Sequence, residues 1–126
     1  MLKEGLSHSS RLIVNEQNTA KMMGSGDMPV LATPAMMALM ENAAMLAVAE
    51  ELETGQTTVG GHIESSHLMP SPIGAEVVAT AILYKVEGRK LYYHLSARMG
   101  DAVIGEGEHL RFIVDRERFL AKISAK

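Results

Sequence analysis

The sequence predicts an α+β protein in which one long central helix is wrapped by a curved antiparallel β-sheet. Two patterns support this fold class. A nearly uninterrupted run of strong helix formers follows Pro34. The second half of the chain alternates segments rich in β-branched and aromatic residues with short turn signals. The chain has 126 residues, the length of one domain, so we expect residues 1–126 to fold as a single domain.

The composition excludes several classes of protein. Hydrophobic residues make up 47% of the chain and charged residues 21%, which is typical of a globular protein rather than a disordered one. The net charge of −3 disfavours a nucleic-acid partner, because such proteins normally carry a basic surface. The absence of cysteine excludes disulfides and thiolate metal sites and is typical of the cytoplasm. The histidines lack the HxH and HExxH spacings, so we expect no metal site.

The sequence predicts neither a signal peptide nor a membrane span. Its start, MLKEGLSHSS, lacks the apolar core of a signal peptide. The longest apolar run, residues 28–49, is interrupted at its centre by Glu41 and Asn42, which makes it a poor transmembrane segment. We therefore expect a cytoplasmic protein without a membrane partner.

The first half of the chain predicts one short strand, a loop and the long helix. Residues 11–14 are typical of a strand, and the polar residues 15–29 are typical of a loop. Thr33 is a favourable N-cap, and Pro34 suits the first helical position because the missing N–H would have no partner within the helix. Gly55 is predicted to end the helix.

The second half predicts four strands, at residues 57–68, 76–86, 91–98 and 102–114. The last three are joined by tight turns at residues 87–89 and 99–101. They therefore form an antiparallel meander, because parallel neighbours need a long crossover. Gly60 and Gly61 lie inside the first of the four strands. Glycine weakens a strand interior, so this pair indicates a bulge or a place where another group approaches the backbone closely.

The predicted helix is apolar on every side. Apolar side chains occupy two opposite faces: Pro34, Met37, Ala44, Met45, Val48 and Leu52 on one, and Met36, Leu39, Ala43 and Leu46 on the other. Such a helix must be covered all round, and one sheet covers only one side. We therefore expect a sheet curled around the helix and a second subunit over the remainder. This arrangement is the hot-dog fold, which typically occurs as a dimer; the sequence leaves a tetramer open.

Glu41 is the one ionisable residue between Asp27 and Glu50. Its helical neighbours three and four positions away are alanines and methionines. An unpaired carboxylate among them costs several kcal/mol or takes up a proton. Two interpretations remain open. Glu41 is either a catalytic carboxylate tuned by its surroundings, or a glutamate that reaches solvent in a groove or forms a hydrogen bond across a dimer interface.

Two further polar residues lie on predicted strands. Alternation places His67 on the same inward face as Val59 and Ile63, where a lone histidine is more often structural than catalytic. Arg111 is either a surface residue or an anchor for a negatively charged ligand. The sequence predicts no functional role for the histidines among polar positions, which are His8, His94 and His109.

Four segments carry a resemblance to a known family. They are VLATPAMMALMENAA, GGHIESSHLMPSPIGAEV, VEGRKLYYHLSA and GEGEHLRFIVDRERF. Over residues 12–122 the chain resembles the fluoroacetyl-CoA thioesterase-like branch of the hot-dog proteins. The resemblance implies that Thr33, Glu41 and His67 are catalytic. It also implies that the Gly60 backbone lies near the acyl group and that Arg111 lies in the active site.

The resemblance also bears on the substrate. The phenylalanines that form the lid of the fluoroacetyl-specific enzyme correspond to Gly24 and Asp27 here. The resemblance therefore implies thioester hydrolysis without fluoroacetyl selectivity. We expect the substrate to be a short acyl-CoA or another small acyl thioester, with no cofactor beyond the coenzyme A of the substrate itself.

Two alternatives to hydrolysis remain. A non-catalytic dimeric protein that binds acyl-CoA or another small ligand would use Glu41 only for pairing across its interface. Hot-dog hydratases that act on enoyl thioesters usually pair an aspartate with a histidine on the central helix. This helix has neither residue, so a hydratase is less favoured.

The spacing of the implied catalytic residues favours a site shared by two subunits. Thr33 and Glu41 are eight residues apart. Along a straight helix this is ~12 Å, beyond any hydrogen bond. Either the loop before the helix bends back toward Glu41, or one of the two residues comes from the partner subunit. The second alternative also explains a carboxylate on an apolar helix, so we expect the site at the interface of a homodimer.

Overall fold

The structure is a computed structural model, and it describes residues 1–124. Its strands are β1 (Ser7–Ile13), β2 (Gln56–His67), β3 (Glu76–Glu87), β4 (Lys90–Met99) and β5 (Ala102–Asp115). They form one antiparallel sheet in the order β1-β3-β4-β5-β2. The predicted meander is confirmed for β3, β4 and β5. Strand β2 pairs with β5 at one edge of the sheet, and β1 occupies the place beside β3.

Three α-helices and two short 3₁₀ turns accompany the sheet. The helices are α1 (Ala20–Met23), α2 (Thr33–Val48) and α3 (Arg116–Ser124), and the turns are Glu16–Asn18 and Ala49–Glu51. The predicted central helix is confirmed as α2, although its α-helical part ends at Val48 and gives way to a 3₁₀ turn before Gly55. Within residues 1–124, no helix has the length and hydropathy needed to cross a membrane.

Helix α2 packs against the inner face of β1 and β3. Its buried residues are Ala35, Met36, Leu39, Met40, Ala43, Ala44, Ala47 and Val48. Half of them are alanines, and Ala79 and Ala81 are buried on β3. These small side chains let the helix approach the sheet closely, and close packing fixes which side of α2 faces away from the sheet.

The opposite side of α2 is uncovered in one protomer. Pro34, Ala38 and Asn42 are exposed, and Leu46 keeps 39% of its surface accessible. Glu41 borders this side, with its side chain 42% exposed. An apolar helix side is normally covered. The uncovered side therefore favours the expected second subunit, which stays a prediction.

Three elements differ from the predictions in length or kind. The strand expected at residues 11–14 begins at Ser7 and pairs with β3 over its whole length. The expected loop at residues 15–29 contains α1, a single turn of helix capped by the Thr19 hydroxyl. Helix α3 is not among the predicted elements. The sequence does contain a signal for this helix, because aspartate is a favoured N-cap residue and Asp115 precedes it. In the structure, Asp115 Oδ1 accepts a hydrogen bond from the Arg118 N–H at 2.9 Å, as an N-cap does.

The glycine pair in β2 forms a bulge, as the sequence predicts. The register between β2 and β5 shifts between Gly60 and His62. A Cβ atom on Gly61 would lie 2.2 Å from the Phe112 ring, so that position accepts only glycine without rearrangement of the ring. Both interpretations of the glycine pair, a bulge and a close approach, are confirmed.

The bulge also changes the alternation of faces along β2. Val59 pairs with Phe112 on the outer face of the sheet, whereas Ile63 and His67 lie on the inner face. An inserted residue shifts every later side chain to the other face. The prediction that Val59 shares a face with His67 is therefore wrong, while the inward position of His67 is confirmed.

Candidate active site

Thr33 is the first residue of α2, but it does not cap the helix. The N-cap is Ala32, whose backbone is extended and which has no side-chain capping bond. The Thr33 hydroxyl instead lies 2.7 Å from Nδ1 of His67, the last residue of β2. The predicted capping role is therefore wrong, because the hydroxyl is engaged by the neighbouring strand rather than by the helix backbone.

Thr33 and His67 border a cavity of about 310 Å³. The cavity is also lined by Ala20, Ser25, Val30, Leu31, Leu68, Met69 and Pro70. Among residues 1–124, Nε2 of His67 is buried and has no hydrogen-bond partner. Burial lowers the pKa of His67, because desolvation disfavours the charged ring. The pair is thus a hydroxyl bonded to a neutral imidazole at the edge of a largely apolar cavity.

Glu41 belongs to a second group of residues, formed with β2 and β5. Its Oε2 lies 3.7 Å from Nη1 of Arg111 and 4.0 Å from Nε2 of His109. A Cβ atom on Gly60 would lie 2.9 Å from the same oxygen. The carboxylate therefore rests directly against the backbone of the glycine and faces the guanidinium.

Arg111 is buried, which excludes the interpretation of a surface residue. It is 7% exposed. Its Nε donates to Oγ1 of Thr58 at 2.8 Å, and its Nη2 donates to the backbone carbonyl of Thr58 at 3.0 Å. Hydrogen bonds to a charged donor are stronger than neutral ones and offset the cost of burying the guanidinium. The two bonds hold Arg111 with Nη1 toward Glu41.

His109 is a site residue for which the sequence predicts no role. It is 3% exposed, so its expected place among polar, outward positions is wrong. Its Nδ1 lies 2.6 Å from the carbonyl oxygen of His62, and its Nε2 lies 3.2 Å from Nη1 of Arg111. Strand alternation is the signal that finds it, because residues 109 and 111 are two positions apart and share a face.

Within one protomer the two groups are separate. Thr33 and Glu41 lie on the same helix, and among residues 1–124 no hydrogen bond or ion pair joins Glu41 to Thr33 or His67. Because Thr33 is itself part of α2, the loop before the helix does not bend it back toward Glu41. The contribution from a second subunit, the other alternative raised by the spacing, stays a prediction.

A sequence profile described as "Fluoroacetyl-CoA-specific thioesterase", FlK, matches residues 14–117. The chain belongs to the FlK thioesterase family. The family resemblance found in the sequence is thereby confirmed.

Individual proteins agree with the FlK assignment. The fluoroacetyl-CoA thioesterase of Streptantibioticus cattleyicolor is 41% identical over 97 residues, which are 77% of this chain and 70% of that protein. A solved structure of the fluoroacetyl-CoA thioesterase FlK aligns with a TM-score of 0.91 at 33% identity, covering 100% of this chain and 98% of that one. A hot-dog-like protein from Thermanaerovibrio acidaminovorans aligns with a TM-score of 0.87 at 20% identity, covering 97% and 90%. The predicted hot-dog fold is confirmed.

The two positions that correspond to the lid phenylalanines of the fluoroacetyl-specific enzyme carry no aromatic side chain here. Gly24 ends α1 in the left-handed conformation, with φ 78° and ψ 13°. A phenylalanine rarely adopts that conformation. Asp27 is exposed in the loop between α1 and α2. The residues that line the cavity at Thr33 include no phenylalanine, tyrosine or tryptophan from this loop.

The stability of the fold is expected to fall in acid because of two neutral histidines. Burial lowers the pKa of both His67 and His109 in the folded chain. In the unfolded chain the pKa of a histidine is ~6.5. Below that pH the unfolded state binds more protons than the folded state, so the free energy of unfolding decreases as pH falls toward the lowered pKa values. Above the pKa of the unfolded chain, the two neutral histidines make their full contribution to stability. Urea midpoints measured from about pH 5 to 8 check this sign. A midpoint that stays constant or rises in acid would contradict it.

Proposed function

We propose that this member of the FlK family hydrolyses short acyl-CoA thioesters, releasing the acyl group as a carboxylate and coenzyme A as a thiol. The observation that carries the proposal is the Thr33–His67 hydrogen bond at the edge of the cavity. A volume of about 310 Å³ lies at the small end of ligand sites. Val30, Leu31 and Leu68 suit an alkyl chain of a few carbons.

Glu41 is proposed to act on water. The water oxygen bonds to the carbonyl carbon of the thioester while one water proton passes to the Glu41 carboxylate. Direct attack by a carboxylate oxygen is the alternative, and water then hydrolyses the resulting anhydride. In one protomer the side chain is 42% exposed, so the carboxylate opens onto the space in which water and the thioester would meet. Arg111 at 3.7 Å supports a fixed direction for the carboxylate.

His67 is proposed to stabilise the thiolate leaving group. If the Thr33 hydroxyl donates to Nδ1, the neutral ring carries its hydrogen on Nε2, the nitrogen without a partner among residues 1–124. As the carbon–sulfur bond breaks, this Nε2–H donates a hydrogen bond to the departing thiolate, and the proton that Glu41 took from water then passes to the sulfur, which leaves Glu41 ionised again. A backbone N–H near Gly60, or the N–H groups at the start of α2, would hold the carbonyl oxygen while it carries negative charge.

The two groups are proposed to meet across a homodimer. Strand β2 is an edge of the sheet, with Gly60 toward one end and His67 at the other. When two copies of β2 lie side by side about a two-fold axis between these residues, the Gly60 end of one strand faces the His67 end of the other. Glu41 of one protomer then lies near the partner subunit's His67, and the uncovered side of α2 is covered.

A mixture of two inactive variants tests this arrangement. Glu41→Gln and His67→Ala are each expected to reduce thiol release to a small fraction of the wild-type rate. In a mixed dimer, one of the two sites combines the unaltered Glu41 with the unaltered His67. Random exchange of subunits makes half of the dimers mixed, so roughly one quarter of the wild-type activity is expected to return. If one protomer supplied both residues, mixing would restore nothing.

A thiol-release assay with a panel of acyl-CoAs tests the function itself. We expect release from acetyl-, propionyl- and butyryl-CoA, with no preference for fluoroacetyl-CoA over acetyl-CoA. Tight binding of the same compounds without thiol release would contradict the proposal and indicate a binding protein. Hydration of an enoyl-CoA without thiol release would indicate a hydratase.

The proposed reaction requires no cofactor, because coenzyme A enters as part of the substrate. We place the reaction in the cytoplasm, since the chain has no cysteine and therefore no disulfide to form in an oxidising compartment.

A further inference from the structure

The protonation state of His109 is set by its two hydrogen-bonding neighbours. Its Nδ1 lies 2.6 Å from the His62 carbonyl oxygen, which only accepts, so Nδ1 carries a hydrogen. Its Nε2 lies 3.2 Å from Nη1 of Arg111, and a guanidinium only donates, so Nε2 accepts. Only a neutral ring with its hydrogen on Nδ1 satisfies both contacts.

Each of these two bonds connects His109 to a part of the Glu41 group. The His62 carbonyl belongs to the β2 bulge that begins at Gly60, so the first bond ties β5 to the strand segment beside the carboxylate. The second bond is the one that reaches Nη1, the Arg111 nitrogen 3.7 Å from Glu41 Oε2.

The guanidinium of Arg111 needs this second bond for its direction. Thr58 accepts from Nε and Nη2, which anchors one side of the group. Nη1 lies on the other side, 3.2 Å from Nε2 of His109 and 3.7 Å from Oε2 of Glu41, and these last two atoms are 4.0 Å apart. A neutral acceptor beside Nη1 accepts one of its hydrogen bonds. Because the acceptor is uncharged, the positive charge of the guanidinium remains available to the carboxylate of Glu41.

We propose that His109 is a positioning residue for Glu41, acting through Arg111. The proposal rests on the function proposed above, in which Glu41 acts on the thioester. The neutral ring holds Nη1 so that the positive charge faces the carboxylate beside Gly60. A protonated ring would present a donor to a donor and place two positive charges side by side, so Arg111 would turn away and the carboxylate would lose its fixed position.

The surroundings of His109 support a neutral ring. The titratable and charged groups that face it are Glu41 from α2, His62 from β2, Tyr93 from β4 and Arg111 from its own strand. The Tyr93 ring centre is 6.0 Å away. Burial lowers the pKa of His109, and the charge of Arg111 lowers it further, against the opposite effects of the His62 carbonyl and Glu41.

Two substitutions separate the two bonds of His109. In His109→Asn the side-chain amide reaches the place of Nδ1 and keeps the bond to His62, but nothing accepts from Arg111. In His109→Gln the amide oxygen reaches the place of Nε2 and accepts from Arg111. We expect kcat to fall roughly 10²-fold in His109→Asn with little change in KM, because the carboxylate is misplaced rather than the substrate unbound. His109→Gln is expected to retain most of kcat.

The pH profile and a spectroscopic measurement complete the test. In the wild type, kcat is expected to fall at low pH because His109 and His67 both become protonated. In His109→Gln, the fall is expected to reflect protonation of His67 alone. Nuclear magnetic resonance of isotope-labelled histidine is expected to show the Nδ1–H tautomer of His109 at neutral pH.

Three results would overturn the proposal: equal loss of kcat in both variants, no loss in either, or a charged or Nε2–H ring in the wild type. A wild type that hydrolyses no acyl-CoA would contradict the proposed function instead, and the tautomer measurement would still decide whether His109 holds Arg111.

Discussion

Glu41→Gln is expected to lower kcat for acyl-CoA hydrolysis by about 10³-fold, the range found when a general base is removed. The amide has nearly the shape of the carboxylate but takes up no proton from water and makes no attack on the carbonyl carbon. The side chain is 42% exposed, and Arg111 keeps its bonds to Thr58, so the variant is expected to remain folded. Steady-state kinetics together with a thermal unfolding curve measure the two effects separately.

A matched control for this variant is Glu76→Gln. Glu76 is exposed at the start of β3 and pairs with Arg11 at 3.3 Å on the surface. Its replacement removes the same charge from the chain outside the proposed site, and exposed ion pairs contribute about 1 kcal/mol or less. We expect its kcat to equal that of the wild type. Thiol release at the wild-type rate by Glu41→Gln would remove the carboxylate from the chemistry.

Gly60→Ala is expected to lower kcat by roughly 10²-fold without unfolding the protein, because a small displacement of a reacting group has an effect of this size. The added Cβ would lie 2.9 Å from Oε2 of Glu41. The backbone of Gly60 is not in the left-handed region, so alanine fits it without strain. The contact falls on the end of a flexible side chain, so the carboxylate moves and the fold is preserved.

Gly61→Ala is the matched control, one residue along the same bulge. Its Cβ would lie 2.2 Å from the Phe112 ring on the outer face of the sheet, away from Glu41. The ring must move, and we expect the free energy of unfolding to fall by about 1–3 kcal/mol, as for other overpacked sites, with kcat little changed. Urea denaturation and thiol release on both variants test the pair. Full activity in Gly60→Ala would show that catalysis does not depend on the position of the Glu41 carboxylate beside this glycine.

Much of the fold was open to prediction from local patterns. The composition of residues 35–53 predicts one helix up to Gly55, of which the structure forms α2 as far as Val48 and then a 3₁₀ turn. Turn signals predict the β3–β5 meander. The glycine pair predicts the bulge, but alternation carried across it misplaced Val59, because the inserted residue reverses the faces. Helix α3 was missed although Asp115 marks its start.

The sequence named Thr33, Glu41, Gly60, His67 and Arg111 as candidate site residues, but it did not name His109 and did not give the contacts among them. Thr33 looked like a helix cap because its sequence context is that of one, yet its hydroxyl bonds to His67, which is 34 residues away. His109 looked like a polar surface residue because its neighbours in sequence are polar. Its burial depends on Arg111 and on the carbonyl of His62 across the sheet.

The sequence by itself determined the helix, the strands, the family and the lone carboxylate at Glu41, because these follow from side chains close together along the chain. Only the tertiary structure decided that Thr33 and His67 form one group and that Glu41, Gly60, His109 and Arg111 form another. The physical reason is that hydrogen bonds and buried charges depend on which distant strands are brought together. That pairing is fixed by the packing of the whole sheet around α2, and no local pattern encodes it.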